Sequence, residues 1–335
     1  MTGWLAVFFL MGAAGTWLAR RYALQRDLVD EPGERRSHAV RTPRGGGIAI
    51  VAAMLVACIS LALRHPTHLP WLAAFEVGFT LIAGVGWVDD HRPLSPWWRL
   101  AVHCVAAAVF LAPVWAATEN ILLVLTGFGL IVTLTNVWNF MDGINGLAAS
   151  QGALVAAALA LTLGGPAGAL GWALVAACVG FLPFNFPAAR IFLGDVGSGA
   201  LGYGIGALMV LAALSGPDTA LVLLLPLAPF LVDAGLTLGR RFLRGEQWWT
   251  AHVQHAYQAW ARRVGHARVT VAYGTATLAG SAGLLALLGG EKGPVFMAAC
   301  TLAWYTSAAS AWLWLQRRAR GGGVNGQGQE RDCSE

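Results

Sequence analysis

Apolar residues run along this chain in long stretches separated by short polar clusters. A helix needs roughly 17–25 mainly apolar residues to cross a bilayer. Eleven such stretches stand at about 2–19, 46–63, 70–88, 99–117, 120–138, 146–163, 168–186, 198–215, 219–238, 269–289 and 294–315. The pattern predicts an all-α, polytopic integral membrane protein of about eleven transmembrane helices. Trp4, Trp17, Trp71, Trp87, Trp97, Trp98, Trp115 and Trp248 fall near stretch ends, as an interfacial belt requires. Arg20 and Arg21 follow the first stretch and no small-residue cleavage site closes it. It is expected to be a retained helix with its N-terminus outside, not a cleaved signal.

The basic residues test that arrangement. With an outside start, twenty of the 22 Lys and Arg fall in inside segments; Arg64 and Lys292 are the outside pair. This positive-inside bias puts the C-terminus and the long polar loops in the cytoplasm. It also explains the net charge of +5 as topology, so nucleic acid is not an expected partner. Composition agrees, with 57% apolar and 12% charged residues against about 25% charged in soluble domains. Five cysteines without a CxxC spacing exclude a disulfide scaffold. The expected organisation is one transmembrane domain over residues 1–316, with inside loops at 20–45, 89–98, 139–145, 187–197 and 239–268. A Gly-rich polar tail, 317–335, is expected to be disordered.

Candidate chemistry gathers at the inside ends of helices. Asp89, Asp90, Asp142, Asp195 and Asp233 all fall at one depth, although acids in membrane segments are costly. Each one alone is explained by helix capping, as Asp195 in Gly194-Asp195-Val196-Gly197-Ser198 illustrates. Their company argues for more. Asn136, Asn139 and Asp142 are spaced i, i+3, i+6 and run into Gly143-Ile144-Asn145-Gly146, a polar wall beside flexible backbone. Oxygen donors converging from several elements suit a hard cation such as Mg2+. Residues 30–47 carry four Arg and a His before Gly45-Gly46-Gly47, and glycines opening a helix can present N–H groups to an anion. His252 and His255 lie three residues apart without neighbouring Cys, which suits phosphate contact better than zinc. His103 and Glu76 are read as structural, and Gly202-xxx-Gly206 as close helix packing.

In order along residues 20–270, these motifs resemble the polyprenyl-phosphate N-acetylhexosamine-1-phosphate transferases, relatives of the phospho-MurNAc-pentapeptide translocase. The resemblance is carried by Arg36-Ser37-His38 with Thr42-Pro43-Arg44-Gly45-Gly46-Gly47 and by Trp87-Val88-Asp89-Asp90. Asn136 to Gly143, Phe184-Asn185-Phe186-Pro187 and Phe192 to Ser198 continue it. Arg244 to Trp249 with Ala251 to Gln258 is similar to the branch that primes O-antigens with UDP-linked acetamido sugars, 6-deoxy ones included. The translocase's lysine after the first helix has no counterpart, since the chain's single Lys is Lys292.

The resemblance implies an Mg2+-dependent phosphotransferase in a bacterial inner membrane, with its active site on the cytoplasmic face. Mn2+ is an acceptable substitute, and a homodimer is compatible with it. The implied reaction moves a sugar 1-phosphate from a UDP-linked acetamido sugar to undecaprenyl phosphate, releases UMP and starts O-antigen or related envelope-glycan synthesis. By the same resemblance Asp89, Asp90 and Asp195 are catalytic, with Asp195 and Asp90 at the metal. Asn136, Asn139, Asp142, Gly143, Asn145 and Asn185 frame the nucleotide, and Arg44, His252 and His255 hold phosphates. One departure stands out: Asn145 occupies a position that is aspartate in much of the family, so it can accept a hydrogen bond from a base but cannot act as an anion.

The alternative from another class is a membrane transporter or lipid flippase. Transporters place acids near mid-membrane on broken helices, often in repeated halves. No repeat is visible here and the acids cluster at one face. A prenyl transferase would need a second Asp-rich pair beside Asp89-Asp90, and a catalytically dead scaffold would not need all four of Asp89, Asp90, Asp142 and Asp195.

Overall fold

The computed structural model describes residues 2–31, 41–214, 216–247, 254–290 and 292–321. The chain is an all-α polytopic membrane protein. Its helices are α1 (Thr2–Gln25), α2 (Ile48–Arg64), α3 (Leu69–His91), α4 (Pro96–Thr118), α5 (Ile121–Phe140), α6 (Leu147–Thr162) and α7 (Gly165–Asn185). They continue with α8 (Asp195–Ala213), α9 (Pro217–Val222), α10 (Ala228–Leu243), α11 (Ala256–Val264), α12 (His266–Leu288) and α13 (Pro294–Gly321). Among the described residues, eight helical segments are long and apolar enough to span a membrane, and α2 and α6 are apolar but shorter. Ten of the eleven apolar stretches each fall mainly within one helix, and 219–238 is the exception. Large apolar side chains such as Leu63, Leu122, Leu125, Val105 and Val295 are exposed, as a bilayer-facing surface demands.

Three local departures from the sequence pattern have physical causes. The stretch 219–238 is broken: α9 ends at Val222 and a 3-10 turn, Leu225–Leu227, precedes α10. Pro226 and Pro229 lack the N–H that would continue a helix. The carbonyls released there are taken up by neighbours: Trp304 Nε1 donates to Leu225 O (3.0 Å), and Tyr305 OH donates to Leu224 O (2.9 Å). Within the described parts of the loop 239–268, α10 continues to Leu243, and α11 buries Tyr257 and Ala261 while Arg262 and Arg263 close its last turn. The stretch read as tail begins inside α13, which runs to Gly321; residues 322–335 lie outside those described.

The core of the bundle is α8, buried along almost its whole length between α3, α5 and α6. Small residues permit this. A Cβ on Gly202 would overlap the Leu134 carbonyl oxygen of α5, and one on Gly206 would stand 3.0 Å from Ile131 Cα. Backbone-to-backbone approach of this kind drives helix association in lipid, where burial of apolar surface supplies little. A two-stranded antiparallel ribbon, β1 (Val29–Asp30) with β2 (Thr42–Pro43), ties the end of α1 to the start of α2.

Gly202→Ala should lower the thermal midpoint of the detergent-purified protein, overpacking costing about 1–3 kcal/mol. Gly129→Ala, whose Cβ meets nothing within 4 Å, should leave it unchanged or slightly raised. Equal midpoints for the two variants would show that α5 and α8 are free to part.

Candidate active site

The site forms where the end of α3 meets the start of α8. Arg92 is extended (φ −144°, ψ 113°), as a residue before Pro93 must be, and this ends α3 just past Asp89 and Asp90. Asp90 is buried, and both its oxygens accept backbone N–H groups of α8: Oδ1 from Asp195 and Oδ2 from Val196, each at 3.1 Å. It caps α8 from a different helix, supplying negative charge to the orphan N–H groups and positive dipole end. The contact needs glycine on both sides. A Cβ on Gly86 would overlap the Asp195 carbonyl, and one on Gly194 (φ +77°) would stand 2.6 Å from Asp90 Oδ2.

Across this junction two carboxylates share one cation. Arg99, in the first turn of α4, places Nη1 2.6 Å from Asp89 Oδ2 and 2.8 Å from Asp195 Oδ2. Leu94 N–H donates to the other Asp89 oxygen (2.5 Å). Asn139 Nδ2 donates to Asp195 Oδ1 (2.8 Å) and to Ser198 Oγ (3.1 Å). Four helices, α3, α4, α5 and α8, thus converge on one polar knot. Sequence reasoning missed Arg99, counting it only among inside charges. The available signal was a guanidinium within the first turn of an apolar helix, ten residues after Asp89.

Asp142 follows α5 in a short connection and is half-buried. Poor solvation first, then repulsion from Asp195 and Asp90, pushes its carboxyl well above the usual carboxylate range. Gly143 is pinned beneath α11: a Cβ there would overlap the Tyr257 hydroxyl, which donates to Phe140 O (3.0 Å). Asn145 Nδ2 donates to Pro187 O (3.1 Å), and its carbonyl accepts from Thr270 OH (2.8 Å). Asn185 is buried, accepting from Gly146 N–H (2.8 Å) and donating to Ile191 O (2.9 Å), so it locks the α5–α6 and α7–α8 loops together. Asn136 is turned away from this knot. Its Nδ2 donates to Val132 O (2.7 Å) one turn back, and it is hydrogen-bonded to His103.

The glycine run before α2 does not serve the anion-binding role expected of it. Gly46 N–H donates to Phe192 O (2.9 Å) and Gly47 N–H to Leu193 O (2.8 Å), so these donors hold the α7–α8 loop. A Cβ on Gly47 would overlap Gly197 Cα. Arg44, just before the run, has a buried Nε with no hydrogen-bond partner among the described residues.

His255 is buried with Nδ1 3.6 Å from Asp233 Oδ1. Asp233 is a separate hub: it accepts from Ala256 N–H (2.9 Å), Tyr257 N–H (2.9 Å), Tyr273 OH (2.7 Å) and Trp312 Nε1 (3.2 Å). It fastens α11, α12 and α13 to α10 and does not join Asp89 and Asp195. His252, Arg36-Ser37-His38 and Trp248-Trp249 lie outside the described residues.

Among the described residues no group of three His, Cys, Asp or Glu side chains is poised for a metal. The donors that do converge, Asp89 and Asp195, are hard oxygens already holding a cation, the Arg99 guanidinium. Two carboxylates of this kind would suit Mg2+, which is bound by one or two carboxylates plus substrate phosphates.

Residues 71–213 match the model of glycosyl transferase family 4. The chain is similar to a decaprenyl-phosphate N-acetylglucosaminephosphotransferase of Mycobacterium leprae, 31% identical over 64% of this chain and 60% of that protein. It is also similar to a probable undecaprenyl-phosphate N-acetylglucosaminyl 1-phosphate transferase of Bacillus subtilis, 32% identical over 58% of each. A phospho-N-acetylmuramoyl-pentapeptide-transferase of Moorella thermoacetica is 36% identical over 52% of this chain and 64% of its own. The matches thus span about 60% of the length of the first of these relatives.

The raised Asp142 carboxyl has a definite consequence for stability. Because the folded state prefers the protonated form, ionisation opposes folding. Stability is full below the ordinary carboxylate range and is lost as pH rises toward the raised value. In metal-free buffer, Asp142→Asn should therefore raise the thermal midpoint more at about pH 8 than at about pH 5. A gain that does not depend on pH would show that Asp142 is not ionising against its neighbours.

Proposed function

We propose, from the match of residues 71–213 to glycosyl transferase family 4, that this chain transfers a sugar 1-phosphate from a UDP-linked acetamido sugar to undecaprenyl phosphate. An oxygen of the lipid phosphate attacks the sugar-bearing phosphorus of the donor. The bond from that phosphorus to the bridging oxygen breaks, giving an undecaprenyl-diphosphate sugar and UMP. Both reactants are anions, so catalysis is charge neutralisation and alignment.

The observation that carries this reading is the sharing of one cation by Asp89 and Asp195 across two helix ends. Asp195, with Asp89 opposite, would hold Mg2+, and the ion would supply positive charge to the donor diphosphate. Arg99 must then give up at least one of its carboxylates, and it remains beside the site as a second positive charge. Asp90 is offered by the family resemblance as a metal ligand, but both its oxygens are engaged by α8; we assign it the positioning of Asp195. A phosphate monoester has its second pKa near about 6, so the acceptor is mostly dianionic at neutral pH and needs little base. Asp89, whose oxygens are held by Arg99 and Leu94 N–H, acts as a positioner of the attacking phosphate. Asn139, Asp142, Gly143 and Asn145 frame the nucleotide, with Asn185 fixing the loop beneath them.

The relatives are named for N-acetylglucosamine and N-acetylmuramoyl-pentapeptide transfer. Within that range our reading favours an acetamido sugar of the kind that primes O-antigen or a related envelope glycan. The site would face the cytoplasm of a bacterial inner membrane, where nucleotide sugars are available.

Purified protein given undecaprenyl phosphate, Mg2+ and a panel of UDP-acetamido sugars should release UMP with one or more of them. Asp195→Asn should lose at least about 10²-fold in turnover, as expected when a group stabilising transition-state charge is removed. The same variant should lose the thermal stabilisation that Mg2+ gives with UDP. No UMP from any sugar, in folded and lipid-supplied protein, would overturn the reading.

A further inference from the structure

The turn that carries Asp142 does not close on itself. Phe140 is the last residue of α5, and its carbonyl is one of the four that a helix end leaves without an intrahelical partner. In a closed four-residue turn that carbonyl would accept the N–H of Gly143 directly. Here the Tyr257 hydroxyl stands between them, donating to Phe140 O (3.0 Å) and accepting from Gly143 N–H. Met141 and Asp142 are the two residues spanned by the inserted hydroxyl. The insertion depends on Gly143, because a Cβ there would overlap the hydroxyl. Gln258 Nε2, packed over the same glycine, also donates to the Tyr257 oxygen. One donated and two accepted bonds are a full set for a phenol.

The hydroxyl can hold the turn because its ring is fixed from elsewhere. Tyr257 is buried and stacked on His255, with ring centroids 5.6 Å apart. Its backbone N–H is held by Asp233 (2.9 Å), which is braced in turn by Tyr273 of α12 (2.7 Å) and Trp312 of α13 (3.2 Å). All of these residues lie outside the family-matched segment 71–213, whereas the turn they reach lies inside it. Beyond Gly143 the connection has its own anchors. Thr270 OH donates to Asn145 O (2.8 Å), and Asn185 accepts Gly146 N–H (2.8 Å). Tyr257 therefore governs one short piece, residues 140–143, and with it the backbone that bears Asp142.

We propose that Tyr257 is a positioning residue for the donor nucleotide: its hydroxyl, inserted between Phe140 and Gly143, keeps the Asp142 turn open in the form that receives UDP. The proposal rests on the transferase reading and adds to it a residue that touches no reacting atom. It also gives the last helices of the bundle a part in donor binding, exercised through Asp233 and one phenol.

Calorimetry of UDP binding in the presence of Mg2+, without lipid, tests this apart from turnover. Tyr257→Phe keeps the buried ring and removes the hydroxyl. It should weaken UDP binding about tenfold, the scale of one net hydrogen bond. In UMP-release assays it should raise KM for the UDP-sugar by a similar factor, with kcat and KM for the lipid within about twofold. Tyr273→Phe, which removes one donor from Asp233 and leaves the Tyr257 hydroxyl in place, should lower the thermal midpoint and keep UDP affinity within about twofold. Gly143→Ala presses on the hydroxyl from the other side and should weaken UDP binding like Tyr257→Phe. The double variant should be little worse than either alone, since both changes remove one insertion. Unchanged UDP affinity in folded Tyr257→Phe, an equal loss in Tyr273→Phe, or additive losses in the double variant would each overturn the proposal. Wild-type protein that releases UMP while Tyr257→Phe binds UDP normally would leave the transferase reading intact. Wild-type protein that binds UDP through this turn and releases no UMP would do the reverse.

Discussion

Everything in the polar end of this bundle depends on how α8 begins. A helix start leaves four N–H groups without intrahelical partners, and inside a membrane bundle there is little water to receive them. Here Asp90, on the last turn of α3, takes two of them. One carboxylate thereby fixes the distance between two helices and sets Asp195 beside Asp89. The closeness is steric as well as electrostatic, since Gly86 and Gly194 leave no room for a Cβ at the contact. A side chain at either position would push the two carboxylates apart.

From that contact the rest of the site follows as a problem in charge. Asp89 and Asp195 cannot both be ionised at close range in a poorly solvated pocket without a compensating cation. Arg99 supplies it in this structure, and Asp142, which has no such partner among the described residues, is driven toward its neutral form. On the transferase reading proposed above, this concentration of negative charge would suit a divalent ion arriving with a diphosphate.

Much of this was legible in the residues. Long apolar runs named the fold class because a bilayer admits few alternatives to helices. The acids at helix ends, and Asn139 three residues before Asp142, pointed to the end of the bundle where Asp89, Asp90, Asn139 and Asp195 meet. What the sequence hid was partnership. Nothing local distinguishes Asp90, which caps a helix 105 residues away, from Asp89, which faces Arg99. The glycines before α2 look like an anion nest, yet their N–H groups are used by Phe192 and Leu193, and only the folded chain brings those carbonyls near. Asp233 shared the depth of the other acids but serves the packing of α10 to α13. The break before α10 was visible as Pro226 and Pro229, and its acceptability depended on Trp304 and Tyr305, far along the chain.

The most direct test of the account is the thermal midpoint of Asp90→Asn in metal-free detergent solution. If Asp90 is the cap on which the junction rests, removing its charge should weaken two charge-assisted hydrogen bonds, each worth about 1.5–3 kcal/mol. The midpoint should then fall clearly, with Mg2+ and UDP restoring part of the loss through Asp195. An unchanged midpoint, together with loss of the Mg2+ response, would contradict the account. It would make Asp90 a metal ligand and leave the start of α8 held by something else.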